Sequence, residues 1–139
     1  MLKFKLTIFL IVILTSISFA QQANEIIGKY RLPNKLDVEI FEKAGKYFGK
    51  IIALNGFENG AKTDLNNPDK SKRNEPLIGK VIIESLEFDS EEKDWVNGSM
   101  YGPEKGMVFN LKITEIKQNE IVVVGSKYFF RKTIEWEKL

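Results

Sequence analysis

An oxygen-rich segment near the middle of the chain is the first candidate for chemistry. Asp64, Asn66, Asn67 and Asp69 surround Pro68, and carboxylate and amide oxygens are the ligands that calcium prefers. The segment nevertheless lacks the glycine that an EF-hand calcium loop requires. Since Asn and Asp beside proline are typical of Asx turns, we predict that Asp64, Asn67, Pro68 and Asp69 fix a loop. We predict no metal and no cofactor, and contact of this loop with a ligand or a metal is the alternative.

The chain has no histidine and no cysteine. It therefore cannot contain a Ser-His-Asp triad, a histidine-ligated zinc, a thiolate nucleophile or a disulfide. Paired carboxylates alone could support glycoside hydrolysis, but nothing distinguishes such a pair among the acids. The four acids of the segment Asp89–Asp94 are typical of a solvated hairpin turn. The sequence favours a protein without enzymatic activity, with a carboxylate-based hydrolase as a weak alternative.

A short basic run follows the oxygen-rich segment. Lys70–Arg73 contains three basic residues, and acidic residues flank it on both sides. This composition is typical of a solvated charge cluster. We predict that Arg73 anchors the loop to one of the carboxylates of Asp64, Asp69 or Glu75.

Runs of β-branched and aromatic residues alternate with turn signals from residue 26 onward, which is typical of antiparallel strands. Eight strands are predicted, at Ile26–Leu32, Lys35–Lys43, Tyr47–Leu54, Gly79–Phe88, Trp95–Tyr101, Met107–Ile116, Ile121–Gly125 and Tyr128–Trp136. The segment Asn55–Pro76 is a long polar loop with a short turn near Asp69–Arg73. Sequential hairpins form a sandwich or a barrel. We predict an all-β, eight-stranded, antiparallel up-and-down β-barrel, wide enough to be filled or to hold one small ligand.

Alternation along the strands divides their side chains into two faces. One face is predicted to point into the barrel and contains Leu36, Val38, Ile40, Met107, Phe109, Leu111, Ile113, Ile121 and Val123. The opposite face is unusually apolar for a solvated surface and contains Phe41, Ile52, Leu54, Val122 and Val124. An exposed apolar stripe of this kind predicts a partner surface or self-association.

The first twenty residues form a separate unit. A basic start precedes the apolar run Leu6–Leu14, and the small residues Ser18 and Ala20 follow it. This order is typical of a cleavable secretory signal peptide. We predict cleavage after Ala20, a single domain over residues 21–139, and localisation in the periplasm or outside the cell.

Cleavage would change the charge of the protein. The chain has 21 basic and 19 acidic residues, and Lys3 and Lys5 belong to the predicted signal peptide. The remaining domain is neutral, so the sequence gives no electrostatic support for binding nucleic acid or an anionic membrane. No transmembrane anchor is predicted in the mature form. A domain of about 120 residues buries enough surface to fold without disulfides.

Between residues 27 and 138, short motifs follow one another in a specific order. They are Gly28-Lys-Tyr30, Phe48-Gly-Lys-Ile51, Asp64-Leu-Asn-Asn-Pro-Asp69, Arg73, Pro76-Leu-Ile-Gly79, Trp95-Val-Asn-Gly98, Tyr101-Gly-Pro103 with Gly106, and Gly125 followed by Trp136. In this order and spacing the chain resembles the DUF2147 family of small exported bacterial proteins. The resemblance implies an exported lipocalin-like barrel without established enzymatic activity. Because such barrels often carry small apolar molecules, it also implies ligand carriage.

Three positions differ from the usual pattern of that family. Tyr30 stands in place of a tryptophan, and Glu75 and Lys132 stand in place of arginines. Neither Glu nor Lys reproduces the planar fork of a guanidinium group. The resemblance still implies that Gly28, Tyr30, Lys132 and Trp136 close one end of the barrel. In that arrangement a cation of the last strand packs over an aromatic ring of the first.

These expectations combine into one functional hypothesis. We expect the protein to bind a small, partly apolar molecule in the mouth of the barrel. The Asn55–Pro76 loop is expected to gate access to this site. The candidate lining residues are Tyr30, Ile40, Tyr101, Phe109 and Trp136. The alternative is a solid, envelope-associated barrel that meets a protein partner through its outer apolar stripe. An interior void of several hundred Å³ would support ligand carriage, and a filled interior would support this alternative.

Overall fold

The computed structural model describes residues 21–139, which form one antiparallel sheet closed into a barrel. Its strands are β1 (Gly28–Arg31), β2 (Asp37–Lys43), β3 (Lys46–Ala53), β4 (Val81–Asp89), β5 (Asp94–Gly102), β6 (Met107–Ile116), β7 (Glu120–Lys127) and β8 (Phe130–Lys138). Each strand pairs with the next, and β8 pairs with β1. The predicted eight-stranded up-and-down barrel is confirmed. The predicted signal peptide and its cleavage site lie outside the described residues.

The strands begin and end close to the predicted positions. β6 has the predicted bounds, whereas β1 starts later because Ala23–Ile26 forms a 3₁₀ turn. The long segment between β3 and β4 is a loop, as predicted, and includes a short 3₁₀ turn at Lys70–Lys72. A bridge between Thr63 and Pro76 draws the two halves of this loop together. No helix within residues 21–139 is long and apolar enough to cross a lipid bilayer.

Apolar side chains of the inward face fill most of the barrel. Fully buried members of this core include Leu36, Val38, Ile40, Ile51, Ile83, Leu86, Ile113 and Ile121. Each large buried side chain stabilises the fold by about 1.5–3 kcal/mol. The predicted inward position of Met107 is wrong, since this side chain is exposed where β6 begins at the barrel rim.

The predicted outer apolar stripe is covered by its own neighbours. Phe41 stacks on Phe48 with ring centroids 6.0 Å apart, and Lys50 Nζ lies 5.6 Å from the centroid of Phe41. The remaining members of the stripe are buried or half-buried: Ile52, Leu54, Val122 and Val124. The stripe is therefore not the exposed apolar surface that its sequence predicts.

The segment Gln21–Ile26, here called the plug, closes one end of the barrel. Trp95 donates its indole N–H to the carbonyl of Ala23 at 3.0 Å. Tyr30 donates its hydroxyl to the carbonyl of Ile26 at 2.7 Å. Aromatic side chains of the barrel thus hold the plug through its backbone, while the fully buried Ile26 joins the core.

The contact of Tyr30 with the plug predicts a loss of stability in alkali. Burial raises the pKa of Tyr30 to about 12, above the value of about 10 in an unfolded chain. The unfolded state therefore loses this proton first, so the stabilisation is intact below about pH 10 and is lost as the pH approaches 12. We expect the deprotonation of Tyr30 to lower the free energy of unfolding, measured by urea denaturation, by up to about 2 kcal/mol.

The variant Tyr30→Phe should show a shallower decline over the same pH interval. The hydroxyl of Tyr128 lies on the surface, so Tyr128→Phe should keep the wild-type slope and serves as the control. Identical slopes in the wild type and in Tyr30→Phe would contradict this account of the plug.

Candidate functional site

A chamber of about 150 Å³ lies inside the end of the barrel opposite the plug. Its apolar wall is formed by Leu32, Met100, Phe109, Val123, Ile134 and Trp136. Asn34, Glu104 and Lys132 supply the polar groups at the same site. Mostly apolar walls with a few polar groups are typical of small-molecule sites.

A cleft of about 330 Å³ lies next to the chamber, between the β5–β6 turn and the β7–β8 hairpin. Five residues line both spaces: Glu104, Phe109, Gly125, Lys132 and Ile134. A Cβ atom at Gly125 would lie 3.3 Å from the ring of Phe109. The absence of a side chain at this glycine therefore lets the ring of Phe109 pack against β7.

A larger groove of about 590 Å³ runs along the outer wall between β5 and β8. Asn97, Lys112, Ser126 and Arg131 give it a largely polar lining. A ligand that enters a polar groove open to solvent buries little apolar surface. The interior chamber is for this reason the better candidate site, despite its smaller volume.

Trp136 lines the chamber and carries a buried, unsatisfied donor. Trp136 is only 1% exposed, and its Nε1 has no hydrogen-bond acceptor among the described residues. A buried donor without an acceptor costs about 1–3 kcal/mol. A bound molecule whose acceptor atom reached Nε1 would remove that cost.

The long loop lies against the outer wall of the barrel, where Asp64 fixes it. The buried Asp64 accepts hydrogen bonds from the hydroxyl of Tyr101 at 2.7 Å and from the amide of Asn67 at 2.7 Å. Lys80 Nζ lies 3.4 Å from the same carboxylate and donates to Glu75 at 2.7 Å. Burial alone would lower the pKa of Lys80, but its hydrogen bonds to Glu75 and Asp64 raise it.

The remaining loop residues form successive turns. Asn67 accepts a hydrogen bond from the backbone N–H of Asp69 at 2.9 Å, and Asp69 caps the following 3₁₀ turn through Ser71. Arg73 donates to the backbone carbonyl of Asn67 at 2.8 Å. Arg73 therefore anchors the loop, but the predicted carboxylate partner is wrong, because its guanidinium group donates to a backbone carbonyl instead.

The structure brings together only two of the five predicted lining residues, Phe109 and Trp136. Tyr30 reaches the plug, Ile40 lies in the packed core and Tyr101 faces the outer wall. Alternation predicts the face of a side chain but not its height along the barrel. For Tyr101 the face is also wrong, since the register shifts between Trp95 and Gly98.

The predicted closing pair of Lys132 and Tyr30 is not formed. Tyr30 is paired with Lys138 near the end of β8, whereas Lys132 is paired with Gly125 near its start. Gly28 lies beside the hydroxyl of Tyr30, where a Cβ would be 3.5 Å from the oxygen. Backbone pairing of β1 with β8 closes the barrel, and Lys132 lines the chamber instead.

Sequence reasoning missed the rim of the chamber. Asn34 Nδ2 donates to Glu104 at 3.3 Å and so joins the β1–β2 loop to the β5–β6 turn. None of the lining residues of the chamber belongs to Asn55–Pro76, so the predicted gating by this loop is wrong. Ile134 could have been found, because it shares the two-residue period of Lys132 and Trp136 along β8.

A family model described as an uncharacterized protein conserved in bacteria (DUF2147) matches residues 28–138. The chain belongs to the DUF2147 family. No curated protein matches it. This DUF2147 barrel is similar to the solved structure of a protein from the human pathogen Helicobacter pylori, described as belonging to the lipocalin family.

That structural likeness has a TM-score of 0.71 at 22% sequence identity and covers 83% of each chain. At this identity it shows the fold alone. The predicted lipocalin-like barrel and the family resemblance are both confirmed.

Removing the hydroxyl of Tyr101 should destabilise the docked loop. The variant Tyr101→Phe leaves one oxygen of the buried Asp64 without its donor, which we expect to lower the free energy of unfolding by about 1–3 kcal/mol. Urea denaturation measures this change. Tyr128→Phe removes an exposed hydroxyl and should change stability by less than about 0.5 kcal/mol. Wild-type stability in Tyr101→Phe would contradict the anchoring role.

A methyl group at Gly106 should also separate the loop from the barrel. Gly106 has a φ of 66°, and a Cβ there would overlap the carbonyl oxygen of Asn66. Gly56 has a φ of 79° with open space around it, so Gly56→Ala provides a matched control. Both variants bear the cost of alanine at positive φ, about 1–2 kcal/mol. Gly106→Ala should cost about 1–3 kcal/mol more because of the overlap.

Hydrogen exchange of the backbone amide of Asn67 tests whether the loss is local to the loop. This amide should exchange faster in Gly106→Ala than in Gly56→Ala. Equal stabilities and equal exchange in the two variants would show that the close approach of Asn66 to Gly106 does not hold the loop.

Proposed function

We propose that the protein binds a small, partly apolar molecule carrying a hydrogen-bond acceptor, in the chamber and the adjoining cleft. Trp136 carries this proposal, because it lines the chamber and its buried indole N–H has no acceptor among residues 21–139. An acceptor atom of the ligand that reached Nε1 would satisfy this donor. Burial of apolar ligand surface would drive binding, and the polar groups would set its orientation.

The charged groups at the site narrow the chemistry of the ligand. Lys132 lines both spaces and forms none of the ion pairs within residues 21–139. Glu104, in contrast, already accepts a hydrogen bond from Asn34. An aromatic or aliphatic carboxylate fits this arrangement, with its apolar part against Phe109 and Ile134 and its charge near Lys132.

Binding without catalysis is part of the same proposal. The buried carboxylate of Asp64 holds the long loop in place through its contacts with Tyr101, Asn67 and Lys80. At the chamber, Glu104 is the single acidic side chain among the lining residues, whereas carboxylate-based glycoside hydrolysis needs two. The arrangement supports retention of a ligand rather than its conversion.

We further propose that residues 1–20 direct export and are removed. Gln21, which follows the predicted cut, donates its side-chain amide to the carbonyl of Lys93 and accepts from the backbone N–H of Ile116. These bonds hold the residue that follows the predicted cut against the barrel, and we propose that it is the first residue of a mature protein in the periplasm or outside the cell. N-terminal sequencing of the exported protein tests this assignment.

Filling the chamber should weaken ligand binding. In Ile134→Trp a larger ring occupies the junction of chamber and cleft, so we expect affinity for 2-naphthoate to fall at least tenfold. Isothermal titration calorimetry measures the affinity. Val122→Trp places the same ring on the neighbouring strand at a half-buried position that does not line the chamber, and should bind like the wild type.

The indole N–H can be tested with a matched pair of probes. Trp136→Phe should weaken binding of 2-naphthoate about three- to tenfold, the worth of one hydrogen bond, and leave binding of naphthalene unchanged. Native mass spectrometry of protein purified from its host should reveal a bound small molecule. Absence of such a molecule, together with no binding of 2-naphthoate by the wild type, would overturn the proposal.

A further inference from the structure

The hairpin between β7 and β8 ends in an aromatic and basic tip, Lys127-Tyr-Phe-Phe-Arg-Lys132. Tyr128, Phe129 and Phe130 are 91%, 104% and 85% exposed. The exposed Met107 and Val108 of the neighbouring strand extend this apolar surface. Contiguous apolar patches on a protein surface mark contacts with other molecules.

Folding does not explain the residues at this tip. Lys127 pairs with Phe130, so Tyr128 and Phe129 form a two-residue loop. Tyr128 has a φ of 54°, a conformation that two-residue hairpin loops normally give to Gly, Asn or Asp and that is unfavourable for a bulky side chain. Residues that depart in this way from the local conformational preferences of their side chains are typical of functional sites.

The tip is also positively charged. Lys127, Arg131 and Lys132 belong to it, and Lys105 lines the adjoining cleft together with the single acid Glu104. None of the four basic side chains forms an ion pair within the described part of the chain. The neutral charge of residues 21–139 as a whole therefore conceals a local basic surface, which the overall composition cannot reveal.

We propose that the hairpin tip docks on a membrane containing anionic phospholipids. Aromatic rings favour the boundary between headgroups and acyl chains, and lysine and arginine are attracted to anionic headgroups. Protruding rings flanked by basic side chains match such a surface. Lys127 Nζ donates to the carbonyl of Val108 at 3.0 Å, whereas Arg131 and Lys132 form no ion pair within residues 21–139. Because Phe130 and Arg131 line the cleft, docking would turn the mouth of the barrel toward the lipid.

Cosedimentation with lipid vesicles tests this proposal on residues 21–139, which contain the whole barrel and its plug. The protein should bind vesicles of mixed phosphatidylglycerol and phosphatidylcholine at least tenfold more strongly than vesicles of phosphatidylcholine alone. Added salt at 0.5 M should weaken this binding by screening the charges. No binding to the anionic vesicles, or equal binding to both vesicle types, would overturn the proposal.

The double variant Tyr128→Gly, Phe129→Ser isolates the tip from the ligand site, because neither residue lines the chamber or the cleft. It should reduce vesicle binding at least tenfold, without lowering the unfolding temperature or the affinity for 2-naphthoate. The double variant Leu65→Ser, Ile78→Ser removes exposed apolar side chains elsewhere and should bind vesicles like the wild type.

Two further outcomes would overturn membrane docking. One is wild-type vesicle binding by the Tyr128→Gly, Phe129→Ser protein. The other is a concentration-dependent dimer that this variant dissociates, with no vesicle binding by the wild type, which would assign the tip to self-association. Since ligand affinity is measured separately, failure of membrane docking is distinguishable from failure of the proposed ligand site.

Discussion

Closure of the sheet is the constraint on which the remaining structure depends. An antiparallel sheet leaves two edges whose backbone groups lack partners, and here β1 meets β8 through only two residue pairs, Tyr30 with Lys138 and Arg31 with Glu137. The plug reinforces this short seam, because Tyr30 also holds the carbonyl of Ile26. One side chain thus couples the seam, the plug and the core. Once the cylinder is closed, alternate side chains have a common interior to fill.

The closed cylinder is packed at one end and open at the other. At the plug end, large side chains such as Trp95 and Ile40 are fully buried. At the mouth, Gly125 has no side chain, so the ring of Phe109 lies against its backbone, and both residues line the chamber. The long loop does not line this chamber, but Asn66 donates to the carbonyl of Glu104 at 3.0 Å and so supports its rim. The interior is therefore mostly filled, with a chamber of about 150 Å³ at one end.

Much of the fold and a smaller part of the site could be predicted from the sequence. The strand of Met107–Ile116 was predictable because its alternation is regular and its ends carry turn residues. Phe109 and Trp136 were predictable as aromatic residues near the mouth, but Tyr101 was not, since the register shift at β5 turns it outward. The carbonyl partner of Arg73 was equally inaccessible, because the path of the folded loop, and not the local pattern of charges, places that carbonyl within reach.

The sequence by itself determined the class of fold, the positions of the strands and turns, and the chemistry that the missing histidine and cysteine exclude. These properties follow from local rules, namely a two-residue period, turn preferences and the identity of side chains. Only the tertiary structure decided which side chains share a height in the barrel, that the N–H of Trp136 has no acceptor among residues 21–139, and that the basic residues around Phe129 form no ion pair there. Such relations arise from strand register and closure, which join residues distant in the chain, and no local pattern encodes them.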